Sequence, residues 1–208
     1  MNYPEFREEM KVFPCFSIRE IEKHYPGFDS RRLVEWQKKG YIRKLRNRYY
    51  YFSDRKVDEP FLYYTANQLY HPSYVSLESA LSRYGFIPEG VFQVTSCTTL
   101  KTNSFDTPVG KFSYRHVKPS LFFGYQLEEW DNGTHRYAVA NPEKTLIDYL
   151  YLHHEVKDTG DIKALRWNAL EIKNRISTDK LNRYEAHIDS AALSNRLSMV
   201  KKYLDVIT

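Results

Sequence analysis

Apolar residues recur at helical spacing near the start of the chain. Phe6, Met10 and Phe13 predict a helix over Tyr3–Val12, which Pro14 ends. Ser17 and Glu20 fit a capping box, and Phe16 and Ile21 fit a hydrophobic staple. A second helix should therefore start at Ser17, bury Ile18, Ile21 and Tyr25, and stop at Pro26-Gly27. A third follows, with Asp29 as its expected N-cap, Phe28 and Leu33 as its staple and Gly40 as its stop. Leu33, Val34 and Trp36 are expected on its inner side, and Arg31, Arg32, Glu35, Lys38 and Lys39 on its outer side. Tyr41–Leu45 and Tyr49–Phe52 predict two strands joined by Arg46-Asn47-Arg48. Alternation turns Tyr50 and Phe52 one way and Tyr49 and Tyr51 the other, so one pair belongs to the core.

The pattern changes after the hairpin. Asp54–Glu59, followed by Pro60, is charged and has no apolar period, which places a domain boundary there. Two domains are expected, residues 1–58 and residues 59–208. In the second, Phe61–Tyr70 reads as helix, Pro72–Val75 as extended chain and Leu77–Tyr84 as a helix capped by Ser76. Val91–Cys97 and Lys111–Val117 alternate like strands. Phe122–Trp130 and Thr134–Ala140 flank Asp131-Asn132-Gly133, a strong hairpin signal. Asn141-Pro142 opens a helix whose inner face is Leu146, Ile147, Leu150 and Tyr151. Helices are expected at Asp161–Ile176, Thr178–His187 and Asp189–Ile207, a helical tail over about 161–207. The expected class is α+β: an N-terminal winged helix-turn-helix, then a mixed domain with an antiparallel sheet and a C-terminal helical tail. The winged-helix reading follows from three short helices and a basic hairpin within the first domain.

Charge sharpens this. The 208 residues carry a net charge of +5, and residues 1–58 hold all of the excess, with 14 Lys and Arg against 9 Asp and Glu. Residues 59–208 hold 17 of each. Between Asp29 and Arg48 there are 8 basic and 2 acidic side chains, the electrostatic footprint of nucleic-acid binding. Arg31, Glu35 and Lys38 are the candidate base readers, since Arg can fork onto guanine and Glu can accept from cytosine. Arg32 and Lys39 are candidates for phosphate contact. Arg43, Lys44, Arg46, Asn47 and Arg48 form the candidate wing, for the backbone or minor groove. Each could instead be an ordinary solvated side chain. Trp36 is assigned to the core, and the many tyrosines to packing rather than base stacking.

Other chemistry is sparse. Cys15 and Cys97 are far apart, as in a cytoplasmic protein with reduced thiols. No apolar run could span a bilayer, and the first residues do not resemble a secretory signal. His153-His154-Glu155 reads as a helix exit rather than a metal site, because adjacent helical residues point about 100° apart. Lys144 and Asp148, at i and i+4, read as a helix-surface ion pair. No phosphate loop, zinc spacing or nucleophile elbow is present. No catalytic residue, metal or cofactor is assigned.

Several segments, in order, resemble one family. They are Asn47-Arg48-Tyr49-Tyr50-Tyr51-Phe52, Pro72-Ser73-Tyr74-Val75-Ser76-Leu77-Glu78-Ser79-Ala80-Leu81, Tyr84-Gly85-Phe86-Ile87-Pro88-Glu89, Gly110-Lys111-Phe112-Ser113-Tyr114-Arg115-His116 and Ala140-Asn141-Pro142-Glu143-Lys144-Thr145-Leu146-Ile147-Asp148. Over roughly residues 1–152 the chain resembles the AbiEi antitoxins of abortive-infection (type IV) AbiE toxin–antitoxin systems. The resemblance implies a bacterial, non-enzymatic autorepressor. Its winged helix would bind double-stranded operator DNA, and its C-terminal domain would counter a nucleotidyltransferase-like toxin. It assigns no toxin-facing residue. Two other readings stay open: a regulator whose second domain senses a small molecule, and a nucleic-acid-modifying enzyme.

Overall fold

The computed structural model describes residues 2–206. Met1, at the start of the expected first domain, and Ile207, at the end of the expected last helix, lie outside the described residues. Helix α1 (Tyr3–Met10) opens with a capping box in which Asn2 accepts from the Glu5 N–H and the Glu5 carboxylate accepts from the Asn2 N–H. Strand β1 (Phe16–Ser17) leads into α2 (Ile18–His24), whose Ser17–Glu20 capping box forms as expected. Helix α3 (Arg31–Lys38), β2 (Ile42–Arg46) and β3 (Tyr49–Phe52) follow. The three strands pair antiparallel in the order β1-β3-β2. Phe6, Met10, Phe16, Ile21, Leu33 and Trp36 fill the core between the helices and this sheet. The order helix, strand, helix, helix, strand, strand is compatible with a winged helix-turn-helix.

Two details of α3 differ from expectation. Its N-cap is Ser30, not Asp29, and Ser30 makes no side-chain capping bond. The Asp29 carboxylate accepts from the Arg31 N–H at 3.0 Å instead, so it still satisfies a donor of the first turn. Val34 faces solvent and is 53% exposed. The reason is angular: at about 100° per residue, Val34 lies about 160° from Trp36 around the helix. Gly40 ends the segment with φ +73°, a conformation that favours glycine.

The remaining chain builds a six-stranded sheet. Helix α4 (Glu59–Leu69), β4 (Ser73–Val75), α5 (Leu77–Arg83), β5 (Gln93–Thr98), β6 (Asn103–Thr107) and β7 (Gly110–His116) come first. After a short 3-10 turn at Pro119–Leu121 come β8 (Tyr125–Trp130), β9 (His135–Ala140) and α6 (Pro142–Leu152). The strand order is β6-β7-β5-β4-β9-β8. The expected antiparallel pairing is present in β4–β5, β6–β7 and β8–β9. The pairs β5–β7 and β4–β9 are parallel, so the sheet is mixed. Helix α4 covers one face, packing Tyr63 and Ala66 on Phe112, Tyr114 and Val139.

On the other side, α5 and α6 pack with the tail: α7 (Thr159–Ala164), α8 (Ala169–Arg175), α9 (Thr178–Glu185) and α10 (Ala191–Val206). The single helix expected over 161–176 is two. Arg166 takes a left-handed φ of 53°, Trp167 is buried, and the Asn168 side chain caps α8. In α10 the stripe Leu193, Leu197, Val200 and Leu204 is buried as expected.

Lys144 and Asp148 are not on a surface. Both side chains are fully buried and paired with each other. Asp148 also accepts from the Tyr74 hydroxyl at 2.9 Å and the Ser76 hydroxyl at 2.7 Å. Spacing identifies such a pair but not its depth. Here the loop before β8 lies directly on Lys144. A Cβ at Gly124 (φ +74°) would come within 3.0 Å of the Lys144 Cβ and of the Tyr184 ring.

Candidate nucleic-acid interface

Helix α3 and the β2–β3 hairpin present the basic residues, because Leu33, Trp36, Ile42, Tyr50 and Phe52 take the inward positions. Arg31, Glu35, Lys38, Lys39, Arg43, Lys44, Arg46, Asn47 and Arg48 are exposed, and Arg32 is half-buried. The exposed face of α3 runs Arg31, Val34, Glu35, Lys38. Arg31 is held by Asp29 through a 2.8 Å ion pair, which keeps the Asp29 carboxyl below its usual range. Lys39 pairs with Glu35 at 2.6 Å, one helical turn away, and lowers its carboxyl in the same way. Such exposed pairs are weak and solvent-screened, so an approaching phosphate or base can replace either partner. Lys38, Arg43, Lys44 and Arg48 have no ion-pair partner among the described residues. Arg48 sits in the turn with φ 69°, beside Asn47.

Arg46 is placed differently. Its guanidinium lies 3.4 Å from the centre of the Phe105 ring on β6, outside the first domain. The hairpin therefore rests on the six-stranded sheet rather than standing free. Beneath it, Leu45 and Tyr51 join Cys15 and Phe61 in a buried cluster between the hairpin and α4. Both faces of β3 are thus occupied: Tyr50 and Phe52 pack on α1–α3, and Tyr51 packs on α4. Phe105 escaped the sequence reading because Asn103–Thr107 has no clean alternation. A single apolar residue in a polar stretch reads as loop.

No protein-family model matches the chain, and neither does any curated protein.

The second half contains a cavity of about 660 Å3 between α5, the β5 entry, Tyr149 of α6 and the α7–α8 turn. Trp167, Tyr149, Ile87 and Leu81 make its apolar wall, with Glu78, Glu89 and Lys111 as charged groups. Phe92, almost fully exposed, stands at its edge. Below it, Tyr149 stacks on His153 at 3.9 Å between ring centres. His153 ends α6, the helix exit that was expected. Its imidazole lies between Glu78 (3.7 Å) and Glu155 (2.6 Å), and these carboxylates, Glu78 first, raise its pKa.

The other reactive groups are sequestered. Among the described residues no cluster of His, Cys, Asp and Glu could hold a metal. Cys15 and Cys97 are buried free thiols, and burial raises the pKa of both, Cys15 to about 12. Lys144 and Asp148 have no open path, because Gly124, Phe123 and Tyr184 cover them.

Proposed function

We propose that this protein is a DNA-binding autorepressor of the AbiE antitoxin type, non-enzymatic and cytoplasmic. The observation that carries the DNA half is the set of exposed cations on α3 and the hairpin, with Lys38, Arg43, Lys44 and Arg48 free of ion pairs among the described residues. On this reading α3 enters the major groove, Arg31 and Lys38 read bases, and Arg48 and Lys44 hold phosphates. The antitoxin half rests on the ordered family-like segments. Among the described residues, no helix is long and apolar enough to cross a membrane.

The deciding experiment is a gel-shift titration on the DNA upstream of the protein's own gene, with scrambled competitor and varied salt. A complex that survives competitor and loses sequence preference in Arg31→Ala or Lys38→Ala is expected. Binding abolished by scrambled competitor would reduce the basic face to a generic surface. For the antitoxin half, expression of a neighbouring nucleotidyltransferase-like gene should arrest growth alone and be tolerated beside this protein. Arrest in both cases would refute it.

A second reading, a ligand-responsive regulator, is favoured by the cavity beside Trp167 and Tyr149. Its volume and apolar lining suit a small organic molecule. A small molecule that releases the protein from its operator, with no toxin gene in the operon, would select this reading.

A further inference from the structure

Trp167 reaches its cavity because the chain breaks between α7 and α8. Arg166 takes its left-handed φ of 53° there. The Asn168 N–H donates to the Phe86 carbonyl at 2.8 Å and pins the turn to the residues that follow α5. Trp167 is 5% exposed and meets Tyr149 of α6 edge to face, with 5.3 Å between ring centres and 68° between planes. The loop from Ile87 to Phe92 also borders the cavity, and its Glu89 carbonyl accepts from the Ser82 hydroxyl of α5 at 3.2 Å. Phe92, at the end of this loop, is 99% exposed, more than any other large apolar side chain among the described residues. A ring left in water beside an apolar cavity gains by closing over whatever fills it. Three aromatic side chains thus border one space.

The charged groups of the lining select the occupant. Glu78 and Glu89 are both in it, against Lys111 alone. Glu89 is exposed and has no cationic partner among the described residues. Glu78 faces the His153 imidazole at 3.7 Å, longer than a hydrogen bond, and His153 lies closer to Glu155, at 2.6 Å. The negative charge reaches the aromatic wall: burial, and after it Glu78 and Glu155, push the Tyr149 phenol up to about 12. Lys111 belongs to β7, opposite Gln93 of β5, whereas Glu78 and Tyr149 belong to the helices α5 and α6. Aromatic faces attract organic cations, the more so where water is excluded. Carboxylates beside them add charge-assisted hydrogen bonds. We propose that this cavity binds an organic ammonium ion, with its charge beside Glu78 and Glu89 and faced by the Trp167, Tyr149 and Phe92 rings, and its apolar body against Leu81 and Leu165. The inference deepens the ligand-responsive reading, on which any effect of the ligand at the operator rests. Binding itself stands or falls without DNA.

The test titrates the full chain, without DNA, with three probes of like size and different charge: phenethylammonium, the neutral phenethyl alcohol and the anion hydrocinnamate. Calorimetry at neutral pH gives each affinity. Phenethylammonium should bind, the alcohol should bind at least about tenfold more weakly, and hydrocinnamate more weakly still. Glu89→Gln should narrow the gap between cation and alcohol at least about threefold, because it removes charge and leaves the apolar wall. Glu78→Gln should narrow it further. Phe92→Ala should weaken cation and alcohol alike, since it removes a ring and no charge. Glu89 and Phe92 are exposed, so an unchanged melting temperature in their variants checks that the fold is kept. No binding of phenethylammonium at millimolar concentration, or hydrocinnamate bound as tightly, would overturn the proposal. So would a cation preference unchanged in both Gln variants, or a Phe92→Ala variant that binds like the unaltered protein. Phenethylammonium that binds here and leaves the affinity for upstream DNA unaltered would uphold the site and dismiss the ligand-responsive reading.

Discussion

Val34 and Leu33 are neighbours in sequence with opposite roles. Leu33 is buried among Phe6, Trp36 and Ile42, whereas Val34 faces solvent. Leu33→Ala should cost about 2–5 kcal/mol, the range for a buried leucine left as a cavity. Val34→Ala should be neutral or stabilising by up to about 0.7 kcal/mol, since alanine is the better helix former. Paired urea titrations check this, and equal destabilisation would refute the helix phase. Arg46 and Arg48 separate in the same way. By sequence alone both belong to one wing. In the fold, Arg46→Ala loses a ring contact and should cost about 1 kcal/mol. Arg48→Ala should leave stability unchanged and lower the salt slope of DNA binding by about 0.9. The charges of the candidate interface were legible because composition and periodicity are local properties. The pairing of Asp29 with Arg31, and the loss of Arg46 to Phe105, depend on side-chain direction and on a strand more than fifty positions away.

Caps and turns were the most legible elements. The Ser17–Glu20 box, the Asn141 cap and the left-handed Asp131-Asn132 turn all form where the residues signalled them. Each is an interaction within four residues, so no tertiary context is needed. Strand β6, the parallel pairs and the break at Arg166 were not legible, since neighbours that distant in sequence leave no local period. Depth was not legible either, and α6 shows why that matters. Removing one partner of the buried Lys144–Asp148 pair leaves an uncompensated charge, so Lys144→Ala or Asp148→Ala should cost about 3–5 kcal/mol. Thermal unfolding checks it. A near-neutral result would mean the pair is solvated. Any activity lost in these variants would therefore accompany unfolding and would say nothing about catalysis. The C-terminal end of α6 gives a pH dependence. His153 has a raised pKa because of Glu78 and Glu155, so its contribution is fully present below the unfolded histidine value. That contribution disappears as pH rises through the folded value. Urea midpoints should fall across that window, and the fall should shrink in Glu78→Gln. Midpoints that rise with pH, or an unchanged step in the variant, would refute this role.

At the scale of the molecule, the three-stranded sheet and α4 meet on a shared apolar seam: Cys15, Leu45 and Tyr51 from one side and Phe61 from the other, with Arg46 on Phe105 at its edge. Cys15 is a native reporter of that seam. Its thiol is almost inaccessible and burial pushes its pKa to about 12, so the intact protein should resist a thiol-specific reagent at neutral pH. Residues 1–58 expressed alone should react rapidly at Cys15, because the fragment lacks Phe61. Equal protection in the fragment would show that the seam is not what shields the thiol. The seam also governs how the two halves can change over generations. The outward residues of α3 can be altered without touching that seam. The underside of the hairpin has no such liberty: Leu45 and Tyr51 can drift only in step with Phe61 on the far side. A gene assembled by joining the first domain of one relative to the remainder of another would inherit two surfaces shaped for absent partners.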